Sequence, residues 1–388
     1  TNDTRGRSPA TASMGIPRTV NTDLISETLR SVGPIVVLTL IGAVLGLFFG
    51  CVLGLLTPDL FRALFGARPQ EVIFTSGATE ANNLALKGLL GSFDTPRHLV
   101  VSNTEHPSVL DPAARLERNG HRVTRVACDA TGQVDASDVL SAIESDTAVV
   151  SVMWANNEVG TINPVAEIAE GCAGREVVFH TDAVQAIGRV EVDCSNVPVG
   201  LLSMSAHKIY GPMGVGALIV RRGDRRIRLA PQIEGGGHES HLRSGTLPVP
   251  LVVGFGAACR LAGESIESES GRLRGLAQRL VEGIRKRLEG VHLNGHPKDR
   301  LPGNVHLGFE GVDGDATAGI LDNILPHGKV GNYHRSSHHH VLEHLRGQGT
   351  QVVGVGVQKG EADIGVQDVV VHLSVGYRPG EFDVGLQA

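Results

Sequence analysis

From residue 68 onward, short apolar runs alternate with stretches in which apolar residues recur every three or four positions. Glu71-Val-Ile-Phe74 reads as a short buried strand, and Ala81 to Leu90 as the helix after it. His98 to Ser102, Val123 to Ala127, Thr147 to Met153 and Glu176 to His180 read as further strands. Helices are expected after Pro107, from Val134 to Ile143 and from Val165 to Cys172. A run from Val197 to Leu202 leads into Ser205-Ala-His-Lys208, and a strand from Gly216 to Val220 comes after the Gly211-Pro212 turn. Strands alternating with helices predict an α/β fold, with a mostly parallel sheet covered on both faces. From Leu251 the pattern turns helical, with Leu273, Leu276, Ala277, Leu280, Val281, Ile284 and Leu288 at helical spacing. This helix leads to a smaller C-terminal α/β domain, where Val305 to Phe309, Val352 to Val357 and Val369 to Val375 are candidate strands.

The first 67 residues have a different pattern. Residues 1–34 are polar and read as a flexible arm. Ile35 to Leu56 is apolar apart from Thr39 and the glycines, long enough to cross a bilayer, with Gly42, Gly46, Gly50 and Gly54 at every fourth position. Arg5, Arg7, Arg18 and Arg30 precede it and only Arg62 and Arg68 lie close behind it, so the positive-inside rule would send the rest of the chain outward. A membrane segment, a buried core helix and a segment foreign to the remainder of the chain all stay open. The expected divisions are an arm of residues 1–34, an apolar helix of 35–57, a large domain of 68–255 and a small domain of 256–388.

Composition narrows the chemistry. A net charge of −6 over 388 residues carries no nucleic-acid footprint. The five cysteines are scattered and form no Cys-x-x-Cys pair, which speaks for a reducing compartment and against a disulfide framework or a zinc knuckle. His334, His338, His339, His340 and His344 cluster, but no cysteine or carboxylate set completes a metal-site spacing, and no metal is expected.

Ligands of such sheets sit beyond the carboxyl ends of the strands. His106, Asn157, Asp182, Gln185 and Lys208 all fall there. A lysine partly withdrawn from water has a lowered pKa and becomes nucleophilic, as a Schiff base with a carbonyl cofactor requires. Asp182 could keep a pyridine nitrogen protonated, or simply cap a helix. His106 could stack on such a ring and shuttle protons, or pack as an ordinary loop residue. Gln185 or Asn157 could hydrogen-bond a ring oxygen. The Ser76-Gly-Ala-Thr79 turn opening a helix is an anion site, which Ser205 and His207 could complete around a phosphate.

Thr75-Ser-Gly-Ala-Thr-Glu-Ala-Asn-Asn83, Glu105-His106, Ala155-Asn-Asn-Glu-Val-Gly160, His180-Thr-Asp-Ala-Val-Gln185, Ser205-Ala-His-Lys-Ile-Tyr-Gly-Pro212 and Gly235-Gly-Gly-His-Glu-Ser-His-Leu-Arg-Ser-Gly-Thr246 occur in that order. Over about residues 68–265 the chain resembles the cysteine desulfurases, pyridoxal 5'-phosphate enzymes of the class V aminotransferase group. The resemblance implies fold type I and a homodimer. It makes Lys208 the covalent cofactor residue, His106 the residue stacked on the ring and Asp182 the partner of its nitrogen. Ala78, Thr79, Asn157, Gln185, Ser205 and His207 would bind the cofactor, and Thr246 would reach the phosphate in the partner subunit. The implied reaction converts L-cysteine to L-alanine and passes the sulfur, through an enzyme cysteine, to acceptors such as iron–sulfur scaffold proteins. The expected location is cytoplasmic, in line with the scattered cysteines, with membrane association through residues 35–56 left open.

Three departures stand against the family pattern. Its N-terminal segment is not recognisable. The cysteine that carries the persulfide is absent from Lys329-Val-Gly-Asn-Tyr-His334, the loop before Ser337-His-His-His-Val-Leu342. At the position of the arginine that holds the substrate carboxylate stands His372, with Tyr377 and Arg378 shortly after it. A neutral imidazole lacks the bidentate fork of a guanidinium. A C–S or C–Se lyase, an aminotransferase-like enzyme lacking the persulfide cysteine and a catalytically impaired cofactor-binding protein are therefore the rival expectations.

Overall fold

The computed structural model describes residues 66–223 and 226–309 and the strand backbones of residues 352–359 and 369–375. The arm, the apolar stretch of residues 35–56, the loop of residues 329–334 and the histidine cluster lie outside the described residues, as do Tyr377 and Arg378.

The alternation of strands and helices sets up the larger layer. In chain order it contains β1 (Val72–Thr75), α1 (Ala78–Leu90), β2 (His98–Ser102), α2 (Pro107–Arg118), β3 (Arg122–Val126) and α3 (Ala136–Ser141). Then come β4 (Thr147–Ser151), α4 (Val165–Ala173), β5 (Val178–Asp182), β6 (Leu201–Ser205) and β7 (Gly216–Val220). The seven strands form one sheet in the order β1-β7-β6-β5-β4-β2-β3. Only β7 runs against the rest, pairing antiparallel with both β1 and β6. The strands β1, β2, β6 and β7 are buried at every position, as expected for strands covered on both faces. The edge strand β3, Arg-Val-Thr-Arg-Val, is instead mostly exposed or half-buried. Its outward Arg122 and Arg125 pair with Asp146 and Glu117.

Helix α1 packs its Leu84, Leu86, Leu89 and Leu90 face into the same core as Ile73, Leu99, Val101, Val149, Leu201 and Leu218. Its first turn lies hard against the sheet. A Cβ on Gly216 would sit 2.6 Å from the Met204 carbonyl oxygen and 2.7 Å from Gly77 Cα, both backbone atoms with no freedom to move aside. Gly216→Ala is therefore expected to cost roughly 1–3 kcal/mol through overpacking and to lower the thermal midpoint of the full chain, which a melting curve measures.

Two expectations shift. The helix expected over Val134 to Ile143 begins only at Ala136, because Asp135 caps it by accepting the Ser137 N–H, while Val134 bridges back to Cys128. The helix expected near Arg272 is part of one 37-residue helix, α5 (Val249–Arg285), which runs unbroken through the expected domain division at 255/256. It packs on the turn that carries Lys208, and it also touches the smaller sheet. That sheet has the order β10-β11-β9-β8 and is antiparallel, built from β8 (Val291–Leu293), β9 (Asn304–Phe309), β10 (Val352–Lys359) and β11 (Val369–Val375). His372 lies on β11, opposite His306 of β9.

Candidate active site

Strand β5 ends at Asp182, β6 ends at Ser205, and the 3-10 turn Ala206–Ile209 after β6 carries His207 and Lys208. Tyr210 ends that turn in the left-handed conformation, φ 63°. Strand β2 delivers Glu105 and His106, and β4 delivers Asn156 and Asn157, to the same end of the sheet. The expected site residues thus gather at one edge because parallel neighbouring strands end together.

The first part of the site is an anion cup. Helix α1 starts at Ala78, so the first-turn N–H groups of residues such as Ala78 and Thr79 have no partner within the helix. They and the helix dipole favour negative charge there. A Cβ built on Gly77 would lie 3.9 Å from Ser205 Oγ, so the hydroxyl at the end of β6 borders the same helix start. Ser205 Oγ is 2.7 Å from His207 Nδ1. Thr79 and His106 also line one cleft of about 350 Å3 between α1 and α2.

The second part is a buried carboxylate facing a half-buried amine. Asp182 is 5% exposed and accepts the Asn82 side-chain N–H at 2.7 Å and the Val184 backbone N–H at 3.0 Å. Burial pushes its carboxyl up, opposed by those donors and by the nearby His106 and Lys208. No ion pair to Asp182 is present among the described residues. For Lys208, burial lowers the amine's pKa first and the Arg189 guanidinium lowers it further, against a smaller opposing pull from Asp182. The amine is therefore more often neutral, and nucleophilic, than a surface lysine.

His106 caps α2. Its Nδ1 accepts the Ser108 backbone N–H at 3.1 Å and lies 2.8 Å from the Ser108 hydroxyl. An acceptor at Nδ1 places the proton of the neutral ring on Nε2, the nitrogen turned away from the cap.

Behind this layer sits Glu105, 4% exposed, accepting from the Ser102 hydroxyl and the Met153 backbone N–H and so tying the end of β2 to the end of β4. Burial raises its pKa to about 8 against those two donors, with Asp182 adding to the rise. A carboxyl protonated in the fold up to about 8 but ionised in the unfolded chain above its ordinary value of 4.5 contributes stability that is fully present below 4.5. That contribution is lost as pH rises through 8. Glu105→Gln, a neutral mimic, should flatten the decline, which for the wild type is on the order of 4 kcal/mol between pH 5 and pH 9. Urea denaturation at both pH values checks it.

Gln185 is half-buried, and its Oε1 accepts from Arg189 at 2.6 Å, leaving its amide N–H groups to donate. Asn157 is half-buried in the turn after Asn156, whose own Oδ1 caps the Glu158 and Val159 N–H groups. Thr246 is exposed at the end of a loop held to the start of α1. In that loop Arg243 pairs with Glu80 at 2.8 Å and Glu239 accepts the Phe74 N–H at 2.7 Å. Cys172, Cys194 and Cys259 are buried, and burial pushes their thiols up, the first two to about 12. Cys128 comes just after the edge strand β3, with β2 and β4 between it and β5. Sequence reasoning assigned no role to Asn82, Glu105 or Arg189. Asn82 and Glu105 stand inside the motifs that carry the family resemblance, and Arg189 one helical turn past Gln185, but the partners of Asn82 and Glu105 are distant in sequence.

The donor set fits a phosphorylated pyridine aldehyde: an anion cup, a nucleophilic amine and a buried carboxylate with no cation of its own among the described residues. The sequence model of the aminotransferase class-V family matches residues 57–337. The cysteine desulfurase IscS of Photorhabdus laumondii is 48% identical over 262 residues, 67% of this chain and 64% of that protein. The cysteine desulfurase of Mus musculus is 46% identical over 263 residues, 68% of this chain and 57% of that protein. This chain thus spans less than two thirds of either relative. Among solved structures, DndA from Streptomyces lividans superposes with a TM-score of 0.68 at 30% identity, covering 84% of this chain and 90% of that one.

Proposed function

The chain belongs to the aminotransferase class-V family, whose cofactor is pyridoxal 5'-phosphate, and on that premise we propose that it is a cysteine desulfurase converting L-cysteine to L-alanine. The observation that carries this reading is the juxtaposition of Lys208, Asp182 and His106 beside the anion cup formed by α1, Ser205 and His207. When bound, the cofactor supplies an aldehyde that captures amines and a ring that accepts the electrons left when a bond to the α-carbon breaks.

The chain's own residues do the rest. Ala78 and Thr79, with Ser205 and His207, hold the phosphate. Asp182 holds the ring nitrogen protonated, which makes the ring a better electron acceptor. Lys208 would hold the cofactor through its Nζ, and the same amine, when free, would serve as the base for the proton at the α-carbon. His106 would lie against the ring, and with Nδ1 taken by the Ser108 N–H its proton would sit on Nε2. Asn157 and Gln185 offer donors to the ring oxygen.

Sulfur leaves by attack of a thiolate on the substrate sulfur. The substrate's C–S bond breaks, an S–S bond forms, and the β-carbon gains a proton, so that cysteine and a thiol become alanine and a persulfide. Among the described residues, burial makes the thiols of Cys172, Cys194 and Cys259 poor nucleophiles for this step and Cys128 follows β3, three strands away from β5, so we assign the attack to a thiol brought to the site from elsewhere. We place the chain in a cytoplasmic homodimer serving a sulfur-acceptor protein. Thr246, together with Tyr210 and Met213, 66% and 81% exposed beyond Lys208, supports a second copy at this mouth.

The test is to supply the cofactor-loaded chain with L-cysteine and a reduced thiol and to quantify alanine and pyruvate separately. Alanine with equimolar persulfide or sulfide is expected. Pyruvate would reassign the chain to the β-eliminating lyases, and neither product would leave a binding scaffold without this turnover.

A further inference from the structure

The side chain that joins the two working ends of the site takes no direct part in the reaction. Asn82 lies on the buried face of α1 and has no exposed surface. Its single amide nitrogen makes two hydrogen bonds, 2.7 Å to Asp182 Oδ2 and 2.9 Å to Ser108 Oγ. Ser108 Oγ in turn lies 2.8 Å from His106 Nδ1. Because Asn82 donates to Ser108 Oγ, the hydroxyl's own proton is free to go to His106 Nδ1, where the Ser108 backbone N–H already points. One connected path therefore runs from the Asp182 carboxylate through Asn82 and Ser108 to the His106 imidazole.

The amide orientation is set by charge. An ionised Asp182 can only accept, so the NH2 group of Asn82 and not its oxygen must face it. The consequence is visible on the other side of the amide: Asn82 Oδ1 is buried and meets no donor among the described residues. A packing role alone would be better served by a leucine, which leaves no polar atom unpaired. An asparagine kept there with half its hydrogen-bonding capacity unused indicates that the two donated bonds are what the position is for.

We propose that Asn82 is a positioning residue that sets Asp182 and His106 together, holding the Asp182 carboxylate as an ionised acceptor and, through Ser108, fixing the His106 ring with its proton on Nε2. This rests on the reading that pyridoxal phosphate occupies the site. Without the Asn82 donor, a carboxylate in this buried place loses part of what keeps it ionised, and the shared proton moves from the ring nitrogen onto Asp182.

The deciding measurement is 15N NMR of the full chain loaded with pyridoxal phosphate labelled at the ring nitrogen. A parallel sample carries 15N-histidine, with the His106 signals assigned by their loss in His106→Gln. The wild type should show a protonated ring nitrogen and the Nε2–H form of His106. Asn82→Leu should show an unprotonated ring nitrogen, altered His106 signals and cofactor binding weakened roughly 10- to 100-fold. Ser108→Ala cuts the path further along, so it should alter the His106 signals while the ring nitrogen stays protonated; it also keeps the test decisive if Asn82→Leu does not fold. A folded Asn82→Leu with a protonated ring nitrogen and wild-type affinity overturns the proposal, as does Ser108→Ala with unchanged His106 signals. An unprotonated ring nitrogen in the wild type, or no cofactor uptake by it, overturns it too. A wild type that shows the expected signals but makes no alanine supports the role of Asn82 and removes the desulfurase reading alone.

Discussion

Lys208→Ala is expected to reduce alanine formation from L-cysteine by about a thousandfold or more. Two functions leave with one nitrogen: the amine that bonds the aldehyde and the base beside the α-carbon. The placement at the end of β6 makes the loss hard to compensate. Burial and Arg189 lower the pKa of this amine, and a water molecule in the vacated space would be a far weaker nucleophile and base. Lys208→Arg separates charge from chemistry. It keeps a cation opposite Asp182, but a guanidinium stays protonated at any working pH and forms no bond with the aldehyde. It should be as inactive as the alanine variant, whereas near-normal turnover by Lys208→Arg would reduce Lys208 to an electrostatic role. Partial rescue of Lys208→Ala by a small added primary amine is the complementary result, read as alanine formed per minute.

Asp182→Asn should lower kcat by roughly a hundredfold to a thousandfold, the scale of losing one preorganised charge at a reacting group. The substitution is nearly isosteric but wrong in two ways. The side chain no longer carries the charge that holds a ring nitrogen protonated. It also cannot accept at both oxygens, where Asn82 and Val184 now donate, so one N–H is left facing another. The loss should fall on kcat more than on KM, because the protonated ring matters most when electrons flow into it. Steady-state rates over a range of cysteine concentrations measure the split, and an unchanged kcat would remove Asp182 from the ring nitrogen.

Much of this arrangement could be read along the chain. The alternation of apolar strands with helices foretold a mostly parallel sheet, and the residues that follow its apolar runs, His106, Asn157, Asp182, Gln185 and Lys208, foretold which side chains gather at the carboxyl ends of its strands. The Gly-Ala-Thr start of α1 carried its own physical meaning, because the free N–H groups and dipole of a helix start favour negative charge. Such features depend on local period and local geometry, and neighbouring residues in the sequence suffice to specify them.

What only the folded chain decided involves partners distant in sequence. Asn82 meets Asp182 across 100 positions, and Glu105 meets Met153 across 48. Neither contact has a periodicity to announce it. The continuity of α5 across the expected domain division belongs here too, since the helix packs both on the Lys208 turn and on the small sheet. The sequence by itself determined the alternation of strands and helices and their order, because those depend on short-range sterics and the burial of apolar residues. The apolar runs stop at His180 and Leu202, and pairing with neighbouring strands carries β5 on to Asp182 and β6 to Ser205. Tertiary structure decided which polar groups share a buried space, and with that the upward push on the Asp182 carboxyl, the lowered pKa of Lys208 and the acceptor role of His106 Nδ1. Desolvation and hydrogen bonding act through space and not along the chain.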